Sequence, residues 1–210
     1  MTEQDLAAIQ RELAELRSRV AELEEEEIAA ESSAPDWTSG YYLTYYATTG
    51  FFLGMIGAVA SLLLNVVGSL LMGQHPLQLI RVYLTFGMGE QALQLDVNRG
   101  DGGIILIIGC CLYVATGMLL GILFQVVLSR MADADALVKR LLIASILSLA
   151  VWLVNYYFLI SWIQPLLFGG NWILTQIPWW VGALTHLSFG WTMALLYPLG
   201  RFEPYRVQTE

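Results

Sequence analysis

The 210-residue chain is 57% apolar and 13% charged, with a mean hydropathy of +0.60; a soluble domain carries about a quarter charged residues, so much of this chain is built to avoid water. Its net charge of −8 is localised: eleven acidic residues against three arginines (Arg11, Arg17, Arg19) fall within residues 1–40, and the remainder balances with seven of each sign. This distribution leaves no basic patch for nucleic acid, and the adjacent Cys110 and Cys111, inside an apolar run, read as small buried hydrophobes, since two vicinal cysteines build neither a disulfide framework nor a zinc site.

Residues 1–28 carry the spacing of a coiled coil. Leu6, Ile9, Leu13, Leu16, Val20 and Leu23 follow a 3-4-3-4-3 pattern, the a/d seam along which two or more helices supercoil. With Leu6 at a, Glu12 and Arg19 occupy g while Arg17 and Glu24 occupy e, so parallel copies would pair opposite charges across the seam. The acidic run Glu24–Glu27 ends the pattern, and residues 29–40, with Ser32, Ser33, Pro35 and Asp36, read as a flexible linker. The N-terminus is charged and helical, which is not the pattern of a signal peptide; the first apolar span is expected to direct insertion.

The membrane domain is expected over residues 41–200 as an all-α bundle of four spans, at about 41–72, 103–128, 141–163 and 179–199, followed by a cytoplasmic tail at 201–210. No charged residue lies inside any of the four, and about 20 apolar residues suffice to cross the hydrocarbon. Trp37, Tyr41, Tyr42, Tyr45 and Tyr46 open the first span, and Trp162, Trp172, Trp179 and Trp180 cluster between the third and fourth, as interfacial aromatic belts do. Two connections hug the membrane: 74–102, with a short helix expected after Pro76 and a break at Gly87 and Gly89, and 164–178, punctuated by Pro165, Gly169, Gly170 and Pro178. Arg130, Lys139, Arg140, Arg201 and Arg206 lie on one side and only Arg81 and Arg99 on the other, which predicts both termini in the cytoplasm of an inner-membrane protein.

Small residues recur at helical spacing in each span: Gly50, Gly54, Gly57 and Ser61 in the first, Gly117 and Gly121 in the second, Ser145 and Ser148 in the third, Gly182 and Gly190 in the fourth. In lipid, where hydrophobic burial does not drive association, such faces let helices approach closely. His186 sits on the small face of the fourth span, and an ionisable group at such depth is often functional. The other histidine, His75, follows the first span. Two histidines on different helices can ligate haem b, and a quinone could hydrogen-bond His186; a neutral His186 bonded to Asn155, Ser148 or a backbone carbonyl is the plainer role.

No phosphate-binding loop, zinc-protease motif or nucleophile elbow is present. The expected function is therefore that of a non-catalytic structural or assembly subunit of a larger membrane complex, in contact with lipid and other subunits and oligomeric through residues 1–28. A redox subunit holding haem b or quinone at His186, with His75 as a second ligand, is the alternative. A small channel lined by Asn65, Gln125 and Asn155 is a third reading.

Overall fold

The computed structural model describes residues 10–23, 37–131 and 136–202. It divides into a unit from Met1 to Tyr42 and a unit from Leu43 to Glu210. Among the described residues there is no strand.

In the first unit, residues 10–23 form one helix, α1, exposed along its whole length, with Leu13, Leu16, Val20 and Leu23 open on its surface. The two remaining seam positions, Leu6 and Ile9, the acidic run and most of the linker lie outside the described residues. Helix begins again at Trp37, inside the stretch expected to be linker.

Three helical segments are long and apolar enough to cross a membrane: Tyr42–Leu71 of α2 (Trp37–Leu71), α4 (Gly102–Met131), and the continuous run Leu137–Phe168. At 1.5 Å per residue, 30 residues reach about 45 Å, well beyond a hydrocarbon core of about 30 Å. The third is not one uniform helix. It comprises α5 (Leu137–Leu153), a π-helical stretch at Val154–Ile160 and α6 (Ser161–Phe168), so it runs five residues beyond the expected end at 163. The expected fourth span is helix α8 (Trp179–Leu196), continued by a 3-10 turn at Tyr197–Gly200. It is shorter than the other three, and Trp179, Trp180, Thr185, His186, Ser188 and Thr192 fall within its 18 residues.

Glycines with positive φ punctuate the chain where a side chain would be strained: Gly73 ends the turn after α2, Gly89 stops α3, and Gly169 closes α6 in the left-handed conformation, its N–H donating to the Pro165 carbonyl. The first connection holds α3 (Gln78–Met88), followed by a 3-10 turn at Gly89–Gln94. Ile80, Val82 and Leu84 of α3 are buried, and Ile80 and Leu84 form a core with Ala92 and Leu106. The alternating Leu93, Leu95 and Val97 make no strand; their backbone is a 3-10 turn and loop. The second connection holds the short α7 (Trp172–Gln176).

The centre of the bundle is Ala58, Phe124, Phe189 and Met193, with the Phe124 and Phe189 rings edge to face at 5.2 Å. α8 makes its most extensive contact along α5. The close approaches are made by the small residues. A Cβ on Gly54 would stand 2.5 Å from the Gly117 carbonyl oxygen, and one on Gly50 2.5 Å from that of Gly121, so α2 and α4 touch backbone to backbone. A Cβ on Gly190 would collide with Ser148 Oγ on α5. Gly57 lies against Phe189 and Gly182 against Trp152, while Ser61 hydrogen-bonds Tyr113 at 2.9 Å. The small faces thus pack against other helices inside this chain.

Candidate functional site

Past the junction where Phe124 meets Gly190 beside Ala144 and Ser148, the third helix changes winding. From Val154 to Ile160 it is a π-helix, whose hydrogen bonds skip five residues and which occurs mostly at functional sites. Asn155, Tyr156, Leu159 and Ile160 of this stretch form one wall of a cavity of about 770 Å³. α4 supplies lining residues from Ile105 to Phe124, and α2 contributes Ala58 and Ser61. Tyr83 and Leu84 of α3, Ile173 and Ile177 around α7, and Gly182, Thr185, His186 and Phe189 of α8 complete the lining. The volume is that of a site for a small molecule, and the lining is apolar apart from a few polar groups, as such sites are. Met88, Ile108, Leu112 and Leu159 belong to the lining and are also exposed on the outer surface, so the mouth is itself apolar.

The polar groups fall into two sets. On one side, Ser61 pairs with Tyr113 at 2.9 Å and Tyr83 with Thr116 at 2.7 Å, the two tyrosine rings packing edge to face at 5.9 Å. On the other, His186 Nδ1 lies 2.8 Å from the Gly182 carbonyl oxygen, one turn upstream, and its Nε2 lies 3.5 Å from Asn155 Nδ2. Tyr156 is fixed by donating its hydroxyl proton to the Ile177 carbonyl. Tyr83, Tyr113 and Thr116 were not singled out from the sequence; the one available signal was the hydroxyls of Tyr113 and Thr116 inside an otherwise apolar span.

His75 is not part of this site. It stands in the first connection, where its Nδ1 accepts a hydrogen bond from the Leu77 N–H at 3.0 Å. Burial holds it below its ordinary value, and the Arg81 charge adds to the effect against a weaker pull from Asp96. Asp96 is itself held below the usual carboxylate range, chiefly by the Asn98 N–H, which donates to its Oδ1 at 3.0 Å. His75 does not line the cavity that His186 lines. Among the described residues, no three of His, Cys, Asp and Glu converge.

Of the three amides considered as a pore lining, only Asn155 reaches the cavity. Asn65 Nδ2 donates to Thr185 Oγ1 at 2.9 Å and ties α2 to α8, and Gln125 Nε2 donates to the Gly200 carbonyl at 3.2 Å. Each clamps a pair of elements. A further clamp, Gln164, lies fully buried, donating to Thr85 Oγ1 at 2.8 Å and accepting from the Ile173 N–H at 3.1 Å. Arg140, which the sequence puts just ahead of the third span, is only 7% exposed. Its guanidinium lies over the Tyr197 ring at 5.8 Å, with Nε and Nη1 buried and without a hydrogen-bond partner among the described residues.

No protein-family model, curated protein or solved structure matches the chain, and what the cavity does has to be read from its own residues.

Proposed function

We propose that this chain is a non-catalytic subunit of an inner-membrane assembly, crossing the bilayer four times with both termini cytoplasmic, and that its bundle holds a lipid-soluble molecule in the cavity beside His186. The observation that carries the ligand reading is the cavity of about 770 Å³, apolar in its walls and at its mouth and polar at two places inside. α8 supplies the fourth passage in this reading. Its 18 residues rise about 27 Å at 1.5 Å each, and the 3-10 turn at Tyr197–Gly200 lengthens it. The orientation rests on the excess of Arg130, Lys139, Arg140, Arg201 and Arg206 over Arg81 and Arg99. Because the glycine faces are used within the chain, association falls to α1, whose seam residues are exposed and whose e and g charges suit a parallel second copy.

The test is extraction of the full chain in native lipid discs, followed by mass spectrometry of what stays bound. Leu120→Trp and Leu112→Trp, which project bulk into the cavity and its mouth, should each displace the bound molecule while the protein stays folded. An unchanged bound content in both folded variants, or the same lipid content as an unrelated membrane protein, would refute the ligand reading.

A further inference from the structure

Resting on the reading of the cavity as a ligand site, we infer that its occupant presents a hydroxyl group, which donates to His186 Nε2 and accepts from Asn155 Nδ2. A carbonyl oxygen only accepts, so the 2.8 Å contact between His186 Nδ1 and the Gly182 carbonyl requires the ring proton on Nδ1. In the neutral ring, which is the form the membrane interior favours, Nε2 is then a bare acceptor. Among the described residues its one neighbour in hydrogen-bonding reach is Asn155 Nδ2, at 3.5 Å, about half an ångström beyond a normal N–H···N distance. A hydroxyl oxygen seated beside this loose pair satisfies both groups, because it can donate to the imidazole and accept from the amide at once.

The donors of the other polar groups of the lining are already engaged. Ser61 pairs with Tyr113 and Tyr83 with Thr116, while Thr185 donates to the Val181 carbonyl and Tyr156 to the Ile177 carbonyl. That leaves His186 and Asn155 as the point at which a head group is read. A quinone carbonyl fits poorly there, since its lone pairs would face the lone pair on Nε2. The reduced quinol and a long-chain alcohol both carry the required O–H. The apolar mouth at Met88, Ile108, Leu112 and Leu159 admits such a molecule tail and all from the lipid phase.

The experiment uses the full-length protein in lipid nanodiscs and two matched pairs of probes. They are a decyl-substituted benzoquinol with its dimethyl ether, and 1-dodecanol with its methyl ether. Binding is measured by native mass spectrometry and corrected for partition into empty discs. In at least one pair the hydroxyl probe should bind about tenfold more tightly than its ether, the effect of one buried hydrogen bond. The pair that shows the preference identifies a phenolic or an aliphatic head group. His186→Phe should bring that ratio close to one while ether binding persists, and Asn155→Leu should weaken both probes and leave the ratio high, because an ether oxygen also accepts from the amide. Equal binding of hydroxyl and ether probes to the unaltered protein would overturn the hydroxyl assignment and leave the cavity reading standing. No saturable binding of any probe would overturn both.

Discussion

Two residues show how differently a membrane helix treats the absence and the presence of a side chain. Gly54 leaves no room: a Cβ there would stand 2.5 Å from a backbone carbonyl oxygen on α4, and backbone cannot swing aside as a side chain can. Gly54→Leu should therefore destabilise the bundle by about 3 kcal/mol or more, at or above the upper end of ordinary overpacking. Phe52→Ala, at an exposed position two residues away, should shift the unfolding temperature little; the comparison is read from thermal unfolding in one detergent, and equal losses would contradict it. Leu53 would be a poor control, because it packs against the Phe124 core. Arg140 is the converse case. Its buried Nε and Nη1 have no hydrogen-bond partner among the described residues, and buried donors left so cost stability. Arg140→Met keeps the stem that packs and removes the charge, so the isolated chain should unfold at a higher temperature. A clear drop instead would mean that an anionic group holds Arg140 in the extracted protein.

At the scale of elements, the first connection titrates. His75 Nδ1 accepts from the Leu77 N–H just before α3, which only the unprotonated ring can do. Its folded-state value lies below the ordinary one of 6.5, through burial first and Arg81 second, so the unfolded chain binds the proton more readily. The sign follows: this group's contribution is fully present above pH 6.5 and is lost as pH falls through the lower folded value. Hydrogen exchange at the start of α3 should accelerate between about pH 7 and pH 5, and His75→Asn should flatten that dependence. Exchange rates that change with pH equally in both proteins, beyond the intrinsic chemical rate, would remove the histidine from the account. The N-terminal helix gives a second test at this scale. Leu16→Asp puts a charge on the exposed seam of α1, so native mass should fall to that of a monomer or a partner should be released; an unaltered assembly would show that α1 does not join chains.

For the whole molecule, the proposed orientation makes a labelling pattern. A cysteine at Asp101 should react in intact cells with an impermeant maleimide, and one at Arg206 only after the membrane is opened; the reverse would invert the topology. Much of the fold could be read in advance, because long uncharged runs and Gly/Pro punctuation are local properties. The break at Gly89 and the stop at Gly169 are of this kind. The site was legible only in pieces. His186 stood out as a lone ionisable group, and Asn155, Ser148 and a backbone carbonyl were all plausible partners; choosing among them needs the relative rotation of two helices, which no single-helix pattern contains. The tyrosines of α3 and α4 were missed for the same reason, since only packing brings Tyr83 beside Thr116.

The winding of the third helix carries one more consequence. In an ordinary α-helix each residue turns by 100°, so the 12 residues from Trp152 to Gln164 would leave Gln164 about 120° out of phase with Trp152. Both are buried, and Gln164 has to face inward to join Thr85 on α3 to the backbone of α7. The stretch Val154–Ile160, where each residue turns less, takes up that angular lag, like a gear of slightly different pitch let into a shaft. The two halves of the helix keep a common inward face only because the extra length lies between them. Substitutions on the exposed side, at Tyr157 or Phe158, leave this timing alone. An added or deleted residue anywhere between Trp152 and Gln164 changes it, and swings the clamp on α3 and the wall beside His186 out of step together.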